Sequence, residues 1–152
     1  MRIVGDWFLF DDGESRPILR AKLRTNRGTT VTEQFLVDTG ADRTVFTAAL
    51  LHQLALPVQP APADERLLGI GGAAAYVMVE SVIELTRDDG GPAAVRGQFA
   101  AFTDPGATDL SVMGRDVLNN FDVIVSRPKS EVVLLAPRHR FQTRDHKYLL
   151  GA

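Results

Sequence analysis

The stretch Asp38-Thr39-Gly40-Ala41-Asp42, preceded by the apolar run Phe35-Leu36-Val37, is the part of this chain best suited to chemistry. An apolar strand that ends in Asp-Thr-Gly puts a carboxylate on a tight turn, with backbone amides free to hold it. A carboxylate held in that way can take or give a proton. Gly40 lets a backbone N–H approach it with no Cβ in between. The motif occurs once. Asp-x-Gly turns are common, so a plain turn residue is the competing reading of Asp38.

Other candidate groups are weaker. Gly69 to Ala74, Gly-Ile-Gly-Gly-Ala-Ala, fits a dinucleotide fingerprint. That fingerprint needs a strand before it and a helix after it. Here Ala63-Asp64-Glu65-Arg66 leads in and the strand-like Tyr76-Val77-Met78-Val79 follows. His52, His139 and His146 are scattered without paired metal-ligand spacing, so neither a metal nor a cofactor is expected. Neither G-x-S-x-G nor H-E-x-x-H occurs. With no cysteine, disulfides, thiol catalysis and thiolate metal sites are excluded.

The elements that must position the turn read as strands. Thirteen glycines, eight prolines and short β-branched runs indicate a strand-rich chain. Trp7 to Phe10 is apolar and stops at the turn Asp11-Asp12-Gly13-Glu14. Leu19, Ala21 and Leu23 alternate, as do Val31, Glu33, Phe35 and Val37. Thr47 to Leu56 changes to a helical period with Thr47 as N-cap, and Pro57 ends it. Residues Pro57 to Asp64 read as a loop. Strands are expected at Tyr76 to Leu85 and around Val95 to Ala101. The apolar Leu110 to Gly114 leads into a short helix from Arg115 to about Asn120. Phe121 to Val125 and Val132 to Leu135 form a hairpin around Arg127-Pro128-Lys129-Ser130.

Three segments in order resemble the retropepsin-like aspartic proteases, single-domain enzymes that work as homodimers. They are Phe35 to Asp42, Gly69-Ile70-Gly71-Gly72, and Val112-Met113-Gly114-Arg115-Asp116-Val117-Leu118. The resemblance spans roughly Pro17 to Leu135. It implies an all-β fold, a closed barrel-like core with a glycine-rich flap and two short helices. Asp38, Thr39 and Gly40 would be catalytic. Ala41, Asp42, Leu68, Gly69, Ile70, Gly71, Gly72, Val112 and Met113 would contact an extended, largely apolar peptide. Gly114 and Arg115 would support the site, Arg115 by pairing with Asp42, although a solvated helix residue is its plain reading. Thr39 would hydrogen-bond to the other subunit beneath the catalytic pair. The hairpin Phe121 to Leu135 is similar to that of cellular and bacterial members, where it helps build the dimer contact. A non-catalytic dimeric peptide-binding module on the same fold is the alternative function.

Bulk properties bound the rest. The 152 residues are expected to form one domain over 1–136, with a polar, basic tail at 137–152. Hydrophobic content of 45% and charged content of 24% suit a globular protein. A net charge of −2 offers no broad field for nucleic acid. No run approaches the roughly 18 apolar residues that cross a bilayer, so no membrane partner is expected. Asp6 interrupts any signal-peptide pattern, and a cytoplasmic location is the expectation.

Overall fold

The computed structural model describes residues 1–63, 67–69 and 72–136. Its strands are β1 (Arg2–Val4), β2 (Asp6–Leu9), β3 (Ser15–Arg24), β4 (Thr30–Val37) and β5 (Val45–Phe46). The helix α1 (Ala48–Leu54) follows, then β6 (Val58–Pro60), β7 (Leu67–Gly69), β8 (Gly72–Ala74), β9 (Tyr76–Thr86) and β10 (Pro92–Phe102). The chain continues through β11 (Ser111–Met113), α2 (Arg115–Leu118), β12 (Asp122–Ser126) and β13 (Glu131–Leu135).

Six strands, in the order β3-β4-β11-β5-β10-β9, close on themselves through the Lys22–Glu84 bridge between β3 and β9. The result is an all-β closed barrel, with β2 and β6 paired to its outer margins. Alternation along the strands decides what fills it. In β3, Leu19, Ala21 and Leu23 are buried while Arg20, Lys22 and Arg24 are exposed. Their period of two puts every second side chain on the core face. Phe46 sits between Phe35 and Phe99, with ring centroids 5.9 and 5.6 Å away. Helix α1 adds Leu50 and Leu54, both buried.

Thr47 caps α1, its side chain accepting from the Leu50 amide at 3.1 Å. The helix ends earlier than its sequence period suggests. Ala55 takes a left-handed conformation (φ 51°) and donates its N–H to the Leu51 carbonyl. The Asn26 amide, in the β3–β4 turn, donates to the Leu54 carbonyl at 2.8 Å and so fixes the helix end. Within the stretch expected to be loop, Val58–Pro60 instead forms β6 against β9. Prolines suit such an edge position because they lack the N–H a central strand needs.

A second sheet, β1-β13-β12, packs on the barrel through Ile3, Val132 and Leu134, all buried. The predicted terminal hairpin is therefore present, and the chain's first strand pairs with it. Trp7 reaches across from β2. Its Nε1 donates to the Glu131 carbonyl at 3.2 Å, and the Arg127 guanidinium lies over its ring. Among the described residues, no helix is long and apolar enough to cross a membrane. The predicted tail, 137–152, lies outside the described residues.

Candidate active site

Asp38 follows the last residue of β4, where its strand must leave the barrel. Strand β11 runs parallel to β4, pairing Met113 with Val37. The Met113 carbonyl accepts the Asp38 amide at 3.1 Å, so the neighbouring strand fixes the start of the turn. The Asp38 carboxylate is half-buried and accepts the Gly40 N–H at 2.9 Å. A Cβ on Gly40 would stand 3.2 Å from that carboxylate oxygen, closer than side chains ordinarily sit. The Ala41 amide closes the turn onto the Asp38 carbonyl at 3.2 Å.

The far side of the turn is tied to α2 by every residue from Gly114 to Asp116. The Arg115 amide donates to the Ala41 carbonyl at 2.8 Å. Its guanidinium forks, one nitrogen on the Thr39 carbonyl at 3.0 Å and the other on the Asp42 carboxylate. A planar fork can serve both acceptors, which an ammonium on a flexible stem does poorly. Gly114 is buried against the turn. A Cβ there would lie 2.5 Å from the Arg43 carbonyl group and 2.9 Å from the Ala41 oxygen. Only glycine allows the two backbones to approach so closely.

Two further residues complete this knot, and the sequence reading missed both. Thr44, fully buried, donates its hydroxyl to the Asp116 carboxylate at 2.6 Å. Its amide donates to the same oxygen at 2.8 Å. The Thr44 hydroxyl in turn accepts the Gly114 amide at 3.0 Å. A second link runs beside it. Ser111 donates to the Glu33 carboxylate at 2.9 Å and accepts the Thr47 amide at 3.1 Å, joining β4, β11 and the start of α1. One signal for Asp116 was in the sequence, an acid in the first turn of a short helix, where the helix dipole favours it.

The remaining candidates divide. Ala41 is half-buried and Asp42 exposed beside the Asp38 turn. Val112 is half-buried on β11, paired with Leu36 and Val45. The Met113 side chain, by contrast, is fully buried in the barrel core. Alternation explains it, since Val112 and Met113 must face opposite sides of β11. Leu68, Gly69 and Gly72 lie in the antiparallel pair β7–β8, where Gly69 opposes Gly72. Ile70 and Gly71 lie outside the described residues. The site gathers one half-buried carboxylate, held by backbone and opening on exposed Thr39 and Gly40.

Comparisons with known proteins identify the family. The sequence matches a family described as Aspartyl protease over residues 19–117. A retropepsin-like aspartic protease from Rickettsia conorii has a similar solved structure, with a TM-score of 0.51 and 18% identity. That similarity covers 88% of this chain and 90% of the other. EIAV protease, solved with the inhibitor HBY-793, gives a TM-score of 0.48 at 20% identity, over 68% of this chain and 86% of the other. No curated protein matches the chain in sequence.

Proposed function

From the premise that the chain belongs to the aspartyl protease family and is an aspartic endopeptidase, we propose that its reaction centre forms between two copies. Asp38 from each protomer supplies one carboxyl. Two carboxyls about 3 Å apart cannot both ionise, so they share one proton. The ionised member draws a proton from a water molecule, which attacks the peptide carbonyl. The protonated member donates its hydrogen to the carbonyl oxygen. The tetrahedral intermediate then collapses, the proton passes to the leaving nitrogen, and the amide bond breaks. The proton belongs to the pair, not to either residue.

The observation that carries this reading is the single Asp38 turn, fully supported on its own side and exposed at Thr39 and Gly40. A closed two-fold dimer brings the same residue to both sides of an axis. Thr39 of each copy then hydrogen-bonds across that axis. The sheet β1-β13-β12 has a face suited to such contact. Val4, Val133 and Ile124 stand in register on its outer side, and Val4 and Ile124 are 59% and 42% exposed. The glycine-flanked β7–β8 hairpin acts as the flap. Glycine backbone there closes over an extended, largely apolar substrate with main-chain hydrogen bonds. Val112 contributes apolar contact.

The test is an Asp38→Asn protein assayed against a peptide library by mass spectrometry. Cleavage should vanish while the fold and self-association persist. Activity equal to the parent's would exclude the mechanism. Specific activity of the parent should also fall on dilution as dimers dissociate.

A further inference from the structure

Strand β10 is buried on both faces from Phe99 to Phe102, and the two faces serve different cores. Phe99 and Ala101 belong to the barrel interior. Ala100 and Phe102 point the other way, as alternation requires. They join Val45, Tyr76, Met78 and Ala107 in a second, smaller core. Registered neighbours build it: Ala100 beside Val45 and Met78, and Phe102 beside Tyr76. It therefore lies on the outside of the wall formed by β5, β10 and β9. The base of the β7–β8 hairpin rests on it. Ala61 lies on the limb leading toward β7, Ala74 is the last residue of β8, and both pack against this core.

The hairpin needs such a support. Among the described residues, β7 and β8 pair only with each other. A lone two-stranded hairpin is marginally stable at best in water, so the packing of its base decides how firmly it is held. Tyr76 follows β8 after one residue, Ala75, whose carbonyl accepts the Thr103 amide at 3.4 Å. The end of β10 thus helps fix the point where the hairpin leaves the barrel. The opposite side of the second core reaches the candidate active site. Val45 pairs with Val112, and the Ala100 amide donates to the Thr44 carbonyl at 3.3 Å. Thr44 in turn holds Asp116 and Gly114 behind the Asp38 turn.

We propose that this second core is the seat of the β7–β8 hairpin, with Phe102 and Tyr76 as positioning residues that fix its base relative to the Val45–Val112 pair and the Asp38 turn. One packed cluster then joins the hairpin to the strand that carries Thr44. Its consequence for the reaction rests on the reading of β7–β8 as the flap. A hairpin already held in place loses less conformational freedom when it closes over a peptide, so the packing of Phe102 sets substrate affinity from a distance.

Phe99 and Phe102 supply a matched pair for the test: one residue type, on one strand, facing the two cores. Each is replaced by leucine in the full chain. Both variants should lower the urea midpoint by similar amounts, since both rings are buried. Where both are folded, Phe102→Leu should speed hydrogen exchange of the β7–β8 backbone amides about tenfold. It should also raise KM for a cleaved peptide about tenfold while changing kcat less than about twofold. Phe99→Leu should move exchange and KM by less than about twofold. Val45→Ala, in the same small core, should act on exchange in the direction of Phe102→Leu, which keeps the test open if the latter does not fold. Equal exchange in the two leucine variants, or β7–β8 amides that exchange as in the parent, would overturn the proposal. Faster exchange confined to Phe102→Leu, with KM unaltered, would uphold the seat and refute the flap reading.

Discussion

Replacing Thr44 by valine tests whether the hydrogen-bonded knot behind Asp38 positions it. Valine keeps nearly the same shape and removes only the hydroxyl. Thr44 is fully buried, so water cannot take that hydroxyl's place. Two bonds go: the 2.6 Å donation to Asp116 and the 3.0 Å acceptance from the Gly114 amide. A hydrogen bond to a charged group contributes about 1.5–3 kcal/mol, and a buried N–H left unpaired costs about 1–3 kcal/mol. The two share one hydroxyl and do not add fully, and Asp116 keeps the Thr44 amide at 2.8 Å. A loss of about 3 kcal/mol is expected. Thr44→Ser keeps the hydroxyl and loses one methyl, worth about 1 kcal/mol of burial. Urea denaturation at a fixed protomer concentration separates the two, because dimerisation makes apparent stability concentration-dependent. Under conditions where both variants are folded, kcat should fall more for valine than for serine, with KM little changed. Equal losses of stability for serine and valine would show that the hydroxyl does not hold the turn. The reasoning would then fail.

Three other outcomes follow from the same geometry. Gly114→Ala should lose about 3 kcal/mol or more, since its Cβ would meet the Arg43 carbonyl group at 2.5 Å and backbone cannot yield cheaply; a urea midpoint like the parent's would contradict the close approach. Arg115→Lys should cost less than about 1 kcal/mol of stability, because its ion pair with Asp42 is exposed to solvent. It should nevertheless lower kcat/KM about tenfold by losing the fork that holds both Thr39 and Asp42, as steady-state kinetics would reveal. In the β2–β3 turn, the Arg16 guanidinium and then the Glu14 amide hold the Asp12 carboxyl at about 2, below its ordinary 3.8. A depressed value stabilises the fold above the unfolded pKa, and that contribution disappears as pH falls through about 2. Carboxyl-resolved NMR titration should show it, and Arg16→Gln should return Asp12 toward 3.8.

Much of the barrel was legible because alternation is a strong signal when one face is buried. Strands β3 and β4 fall where period two places them, β9 where its apolar strand-like run does, and the hairpin β12–β13 around its turn signal. The elements that escaped are short and take their pairing from distant chain. β5 is two residues, Val45–Phe46, recognisable only because β10 and β11 lie on either side of it. β6 carries a proline and is exposed along its length, so nothing in its composition marks a strand. β1 is three residues and pairs with β13 at the opposite end of the sequence. Met113 illustrates a different limit. The apolar pair before Gly114 reads as one unit, whereas a strand sends Val112 and Met113 to opposite faces.

The site itself was legible as far as its geometry is local. Asp38 and Gly40 interact two residues apart, and a turn motif encodes such contacts directly. Arg115 with Asp42 came only through resemblance, since nothing local joins residues so far apart in sequence. Thr44, Asp116, Ser111 and Glu33 carried little local signal, because a threonine or serine acquires its role from what the barrel brings beside it. Parallel pairing of β4 with β11 is the physical link. It sets the exit of one strand next to the exit of the other, so the chain leaving at Gly114 must pass behind the chain leaving at Asp38. Polar groups trapped there must pair with one another, because a buried donor left alone costs as much as a good hydrogen bond gives. The described residues contain no buried side-chain polar atom without a partner, and Thr44 is where that requirement bears on the candidate carboxylate. Rigidity of the turn is thus a consequence of closing the barrel. Placement of the second carboxyl is left to whatever surface covers exposed Thr39 and Gly40.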